Sequence, residues 1–103
     1  MNTRLLKLRQ EAELQQNDYV SYLGIIQRTI SNVERDCCKN YNFELLVKYA
    51  ILYDTTIEYI MGLTDIDEEF PKDKINEIIL KYHIDITCLK KIQNKIRLNK
   101  NSM

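Results

Sequence analysis

Apolar residues recur every three or four positions along most of this 103-residue chain. That spacing places them on one face of an α-helix, whereas a strand would require alternation at every second residue. Two clear examples occur late in the chain: Ile75, Ile78, Ile79 and Tyr82, followed by Ile86, Leu89, Ile92 and Ile96. No apolar run approaches the roughly 20 residues that a membrane-spanning helix needs. The sequence therefore predicts an all-α protein with a buried core.

Turn and capping residues divide this pattern into separate helices. The predicted helices lie at about 3–13, 16–23, 27–35, 43–53 and 57–61, with a helical hairpin at 72–98. Gly24 and Gly62 end the second and fifth helices, because glycine tolerates the positive φ of a helix end. Thr56 and Asp85 are suitable caps for the helices that follow them.

An acidic stretch separates the hairpin from the first five helices. Residues 66–71 read IDEEFP and end in Pro71, which is typical of a linker or a helix boundary. We therefore predict three parts: a domain of residues 1–65, a linker of residues 66–71 and a C-terminal helical extension of residues 72–103. The hairpin is too small to fold alone, so it must pack against the first domain or a second subunit. We expect the extension to mediate dimerisation.

Net charge is zero for the whole chain but is unevenly distributed. Residues 1–65 contain seven basic and nine acidic side chains, whereas residues 66–103 contain eight basic and six acidic ones. Residues 89–103 contain five basic residues and no acidic one. Any binding to DNA must therefore depend on a local surface rather than on overall charge. A solvated helix face is the favoured interpretation of the basic run, and a DNA-contacting arm is the alternative.

Composition excludes several classes of function. Two glycines are too few for most phosphate-binding loops, and one His with three Cys leaves little for a four-ligand zinc site. No set of nucleophile, base and acid can be assembled, so we expect no enzymatic activity, cofactor, metal or small-molecule ligand. The cysteines are unpatterned and no secretory signal is evident, which indicates reduced thiols in a cytoplasm. A redox-sensing role for Cys37 and Cys38 is the less favoured alternative to two ordinary loop thiols.

The functional signal lies in residues 16–35, QNDYVSYLGIIQRTISNVER. Two short helices around Gly24 match a helix-turn-helix, whose second helix enters the major groove of DNA. The inner faces would be locked together by apolar residues: Tyr19, Leu23, Ile25, Ile30 and Val33. The outer face of the second helix would be polar: Gln27, Arg28, Thr29, Ser31 and Asn32.

With these residues in place, the chain resembles the Cro/lambda-repressor-type (XRE family) helix-turn-helix regulators over roughly residues 3–65. The matching segments are LLKLR at 5–9, LQQ at 14–16, LGI at 23–25, TISNVER at 29–35, ELL at 44–46, KYA at 48–50 and IMGLT at 60–64. The resemblance implies a five-helix lambda-repressor-like DNA-binding domain, here followed by a C-terminal helical hairpin. It also implies a cytoplasmic regulator, most often a repressor, that binds double-stranded DNA as a homodimer at a palindromic operator.

The resemblance further implies roles for individual residues. Contacts to base edges would come from the recognition helix: Gln27, Arg28, Thr29 and Asn32. Contacts to phosphates would come from its surroundings: Gln16, Asn17, Arg35, Lys39, Asn40 and Asn42. Arg9 and Glu34 match a semi-buried ion pair that is structural rather than DNA-binding. Ile26 replaces the Ser or Thr that caps the recognition helix in the family, and it either leaves that helix start less regular or touches a thymine methyl group.

Two other functions remain open at this point. The chain could be the antitoxin of a toxin–antitoxin pair, with residues 66–103 gripping the toxin, and a neighbouring toxin gene would favour this hypothesis. It could also be a protein-interaction adaptor that has lost DNA binding, which the acidic balance of residues 1–65 slightly favours. A titration with random DNA at low salt separates the adaptor from the regulator, because the adaptor would not bind.

Overall fold

A computed structural model of the chain describes residues 4–35 and 43–101, the last of these by its backbone alone. The described residues form seven α-helices and no strand, which confirms the predicted all-α class. The helices are α1 (Leu5–Glu11), α2 (Asn17–Leu23), α3 (Gln27–Arg35), α4 (Phe43–Tyr53), α5 (Ile57–Ile60), α6 (Lys72–Lys81) and α7 (Ile86–Asn101). The predicted start of α3 at Gln27 and the predicted end of α4 at Tyr53 agree with the structure, and the other end of each helix adjoins residues outside the described ranges.

One cluster of buried apolar side chains joins these helices. Helix α4 lies at its centre and buries residues on nearly all sides, from Leu45 to Leu52. Helix α7 packs against α2 and α4, and it adds Leu89 and Ile92 to the cluster. Burying a side chain of this size contributes about 1.5–3 kcal/mol to folding. The C-terminal helices therefore share a core with the helices of residues 1–65, while the predicted domain boundaries stay a prediction.

The segment between α5 and α6 is tied to the end of α4. The Thr55 hydroxyl donates a 2.6 Å hydrogen bond to the Asp67 carboxylate, and the Phe70 N–H donates to the Asp54 carboxylate at 3.1 Å. The Phe70 side chain itself lies in the core. Residues 66–71 contain no helix and are anchored to the end of α4 at two points.

Arg4 lies just before α1 and connects the start of that helix to residues in and after α5. Its guanidinium donates to the carbonyl oxygens of Tyr59 and Thr64 and forms an ion pair with Asp65. The guanidinium carbon also lies 4.2 Å from the centroid of the Tyr59 ring, within the range of a cation–π contact. This one side chain therefore holds α1 and the residues after α5 together.

Within residues 4–35 and 43–101, five helix-ending residues adopt left-handed backbone conformations, and three of them are not glycine. Gly24 and Gly62 have φ values of 70° and 78°, as predicted for helix ends. Glu13, Asp54 and His83 follow α1, α4 and α6 with φ values of 57°, 52° and 53°. Any residue with a Cβ atom is strained there, which costs roughly 1–2 kcal/mol. The sequence carries no glycine signal at these three turns.

Replacing His83 with Gly is expected to stabilise the fold. The side chain is exposed, so Gly relieves the backbone strain and loses little packing. After the greater freedom of Gly in the unfolded chain is subtracted, the gain should be about 0.5–1 kcal/mol. Urea denaturation measures it, with His83→Ala as the control that keeps a Cβ atom at the same φ. If His83→Gly is instead less stable than His83→Ala, the strain relieved at this turn is smaller than the entropic cost of Gly.

Candidate nucleic-acid interface

Helices α2 and α3 are joined by the turn 24–26, with Gly24 in the left-handed conformation that ends α2. Their inner faces are buried: Tyr19, Tyr22 and Leu23 on α2, and Ile30, Val33 and Glu34 on α3. On the outer face of α3, Gln27 and Arg28 are exposed, and Thr29 and Asn32 are half-buried. The two helices and their turn thus present a polar surface of α3 on one side and an apolar surface on the other.

Most of the predicted DNA-contacting residues in the described part of the chain meet in one shallow depression. It is lined by Gln16, Gln27, Arg28, Ser31, Asn32 and Arg35. Within it, the Arg35 guanidinium donates a 2.8 Å hydrogen bond to the Asn32 side-chain oxygen. Thr29 belongs to the same helix but does not line the depression. Lys39, Asn40 and Asn42, like Cys37 and Cys38, lie outside the described residues.

A chain of hydrogen bonds connects this depression to the interior. The Arg9 guanidinium binds both oxygens of the Glu34 carboxylate, with Nε–Oε2 and Nη2–Oε1 distances of 2.7 and 3.1 Å. Oε1 also accepts a 3.0 Å hydrogen bond from the amide of Gln16. The Gln16 amide oxygen in turn accepts from the Gln27 side chain at 3.3 Å. The orientation of Gln16, and through it of Gln27, is therefore set by a buried charged group.

Glu34 and Arg9 differ in how far they reach water. The Glu34 side chain is 3% exposed and the Arg9 side chain is 17% exposed, so this is a largely buried ion pair. The hydrogen bond to Glu34 raises the pKa of Arg9 against the opposing effect of burial. Arg9 also donates to the carbonyl oxygen of Leu14 at 3.1 Å, so its donors are used within the protein. The pair thus joins α1, α2 and α3 rather than facing a ligand.

Two tyrosines lie beneath the ion pair. The hydroxyl groups of Tyr19 and Tyr53 are hydrogen-bonded to each other, and burial raises the pKa of both. The Tyr19 ring also packs against Tyr49, with 5.9 Å between ring centroids. These hydroxyls remain protonated at physiological pH. Tyr19 belongs to the core cluster, and Tyr53 packs against it.

On the other side of α2, helix α7 supplies contacts that the sequence reasoning missed. The Lys95 ammonium forms a 2.9 Å ion pair with Asp18 of α2. Burial opposes the charged form of Asp18, but hydrogen bonds from Lys95 and from the Gln15 N–H outweigh it and lower the pKa of Asp18. A second depression lies between α2 and α7, and Asn17, a predicted phosphate contact, lines it rather than the depression on α3. The sequence does show the basic run of residues 89–103, but its local spacing does not indicate that these residues lie beside α2.

Ile26 is exposed at the head of α3, with 64% of its surface accessible. Its carbonyl oxygen accepts from the N–H groups of Thr29 and Ile30, at 3.0 and 3.2 Å. The first turn of α3 is therefore formed although Ile26 offers no capping side chain. Its apolar side chain lies next to Gln27, at the edge of the polar surface.

Comparison with known proteins identifies a relative whose name states its function. The chain is 28% identical over 79 residues to the HTH-type transcriptional regulator ImmR of Bacillus subtilis (strain 168). The match covers 77% of this chain and 61% of that protein. The chain thus corresponds to less than two thirds of the relative's length.

No protein-family model matches the chain, and no solved structure matches it. Over the residues that the structure describes, no helix is long and apolar enough to cross a membrane. Within the same ranges, no group of three or more His, Cys, Asp or Glu side chains is placed to hold a metal ion.

Substituting Arg9 with Met should destabilise the protein by about 3–5 kcal/mol, because the Glu34 carboxylate would stay buried without its partner. The double variant Arg9→Met with Glu34→Leu removes both charges and should recover most of that loss. Urea denaturation of the single and double variants measures the coupling between the two side chains. A cost below about 1 kcal/mol for Arg9→Met would mean that the pair does not hold the three helices together.

Proposed function

We propose that this protein is a sequence-specific regulator of transcription that binds double-stranded DNA through α3. The observation that carries the proposal is the depression in which Gln16, Gln27, Arg28, Asn32 and Arg35 meet. Its side chains are polar or cationic, and the buried Arg9–Glu34 ion pair orients Gln16 and, through it, Gln27. The similarity to a protein described as an HTH-type transcriptional regulator supports the same function.

The side chains of α3 suit the edges of bases in a major groove. Amide side chains such as Gln27 and Asn32 pair with adenine, and the guanidinium of Arg28 pairs with guanine. The methyl group of Thr29 and the exposed Ile26 are suited to the methyl group of thymine. Arg35, together with Gln16 and Asn17, would hold the phosphate backbone and set the register of α3. Lys39, Asn40 and Asn42 would add to these backbone contacts.

In this proposal the protein is a cytoplasmic repressor that occupies a palindromic operator as a homodimer. Residues 1–65 would form the DNA-binding domain, residues 66–71 the connection and residues 72–103 the dimerisation element. Two-fold symmetric operators place their half-sites about one helical turn apart, which two copies of α3 can match. A dimer on such a site would exclude the polymerase from an overlapping promoter.

Helix α6 supports the assignment of the dimer surface. It buries no side chain completely within the single chain. Leu80 is 77% exposed, and Phe43, which contacts the Tyr82 ring, is 59% exposed. Each square ångström of apolar surface removed from water contributes about 25 cal/mol. A second copy of the chain seated on α6 would bury this surface.

Arg28→Ala should weaken binding to a selected operator by about 1–3 kcal/mol and relax the preference at one base position. The reason is that Arg28 would donate two hydrogen bonds to a single guanine. In vitro selection of bound duplexes with wild type and variant measures both effects. Arg97→Ala is the matched control, because Arg97 is exposed like Arg28 but belongs to α7 rather than to α3. An equal, sequence-independent loss would make Arg28 a phosphate contact instead.

Leu80→Glu should convert the dimer to a monomer, because it places a charge in the proposed interface. Sedimentation velocity measures the change, with Leu98→Glu on α7 as a control that is also exposed. This substitution is preferable to deleting the C-terminal helices, because Leu89 and Ile92 belong to the core. A dimer that survives Leu80→Glu would place the interface elsewhere.

A further inference from the structure

Two cationic side chains of α7 lie beside α2. Lys91 and Lys95 line a depression between the two helices, together with Asn17 and Ser21 on the α2 side. Among the described residues that line it, Asp18 alone is acidic, and Lys95 neutralises it at 2.9 Å. Lys91 is exposed and forms no ion pair with any other residue in the described ranges. The depression therefore presents a net positive charge to solvent.

This depression adjoins the polar surface of α3. Asn17 lines the first, and its neighbour Gln16 lines the second. The two surfaces therefore meet at consecutive residues of the chain. A duplex whose groove receives α3 would carry its phosphate backbone past Gln16 and Asn17. Lys91 and Lys95 line the same depression as Asn17.

Four of the five basic side chains of α7 line two separate depressions. Lys91 and Lys95 face α2, whereas Lys90 and Arg97 line a separate depression with Gln93 and Asn94. Helix α7 contains no acidic residue to offset either group. Only the first group adjoins the surface that contains Gln16 and Gln27. The second group provides lysine and arginine controls on the same helix.

We propose that Lys91 binds a DNA phosphate beside the α2–α3 contact, and that Lys95 keeps the Asp18 carboxylate from repelling the same strand. Helix α7 thus extends the DNA-binding surface beyond the helix-turn-helix, in addition to packing against the core. This inference rests on the proposed function, because it places a further backbone contact on the same duplex. The contact is to phosphate, so it adds affinity without adding base preference.

The test uses the full chain and duplexes of roughly 30 base pairs that the wild-type protein selects in vitro, about three turns of DNA. Affinity is measured from about 50 to 200 mM salt for wild type, Lys91→Gln, Lys91→Arg and Lys90→Gln. Each phosphate contact contributes about 0.9 to the salt slope, so losing one contact in each subunit of the proposed dimer lowers the slope by about 1.8, and the wild-type advantage over Lys91→Gln should shrink about twelvefold across this range. Lys91→Arg and Lys90→Gln should keep the wild-type slope, and all four proteins should select the same sequence.

Three outcomes would overturn the inference, and they are distinguishable. If wild type binds the selected duplex and Lys91→Gln has the same salt slope as wild type and Lys90→Gln, α7 makes no phosphate contact and the proposed function stands. If wild type binds no duplex at the lowest salt, the proposed function and this inference both fall. A change in the selected bases with Lys91→Gln would also contradict a contact to phosphate alone.

Discussion

The buried carboxylate of Glu34 is the interaction on which the arrangement of the first three helices depends. Glu34 belongs to α3, and its oxygens accept hydrogen bonds from Arg9 of α1 and from Gln16 at the start of α2. A carboxylate removed from water is tolerated only when it is paired and hydrogen-bonded, so the three helices must adopt the arrangement that supplies both donors. The outer face of α3 is consequently oriented by a polar group on its inner face. Apolar packing from Ile30 and Val33 alone would allow more freedom of rotation.

Local pattern predicted the helices well where one face is clearly apolar and the ends carry familiar signals. Ile30 and Val33, at a spacing of three, were predicted on the inner face of α3, and both are buried there. Gly24 marked the turn before α3 because its φ of 70° suits glycine. The pairing of Arg9 with Glu34 joins residues 25 positions apart, and only a family resemblance indicated it.

Other features had no local signal. Glu13, Asp54 and His83 end helices in the left-handed conformation without being glycine, because tertiary packing on both sides compensates for the strain. Phe70 lies in the core although the residues just before it are acidic and exposed. The acidic composition of residues 66–71 therefore did not indicate that one of them is buried. The contact of Lys95 with Asp18 spans 77 positions, and sequence periodicity cannot reveal which helix faces which. Asn17, predicted as a phosphate contact at the start of the second helix, lines the depression shared with α7.

The anchoring of residues 66–71 bears on how two half-sites could be read together. Thr55 is hydrogen-bonded to Asp67, Asp54 accepts a hydrogen bond from Phe70, and α7 packs against α2 and α4. The C-terminal helices are therefore fixed relative to α3 rather than connected to it by a free linker. A dimer joined through such helices would hold its two copies of α3 at one separation and one relative rotation. Each inserted base pair turns a half-site around the duplex axis by about a tenth of a revolution. The proposed dimer would therefore distinguish operators by the length of the spacer between their half-sites.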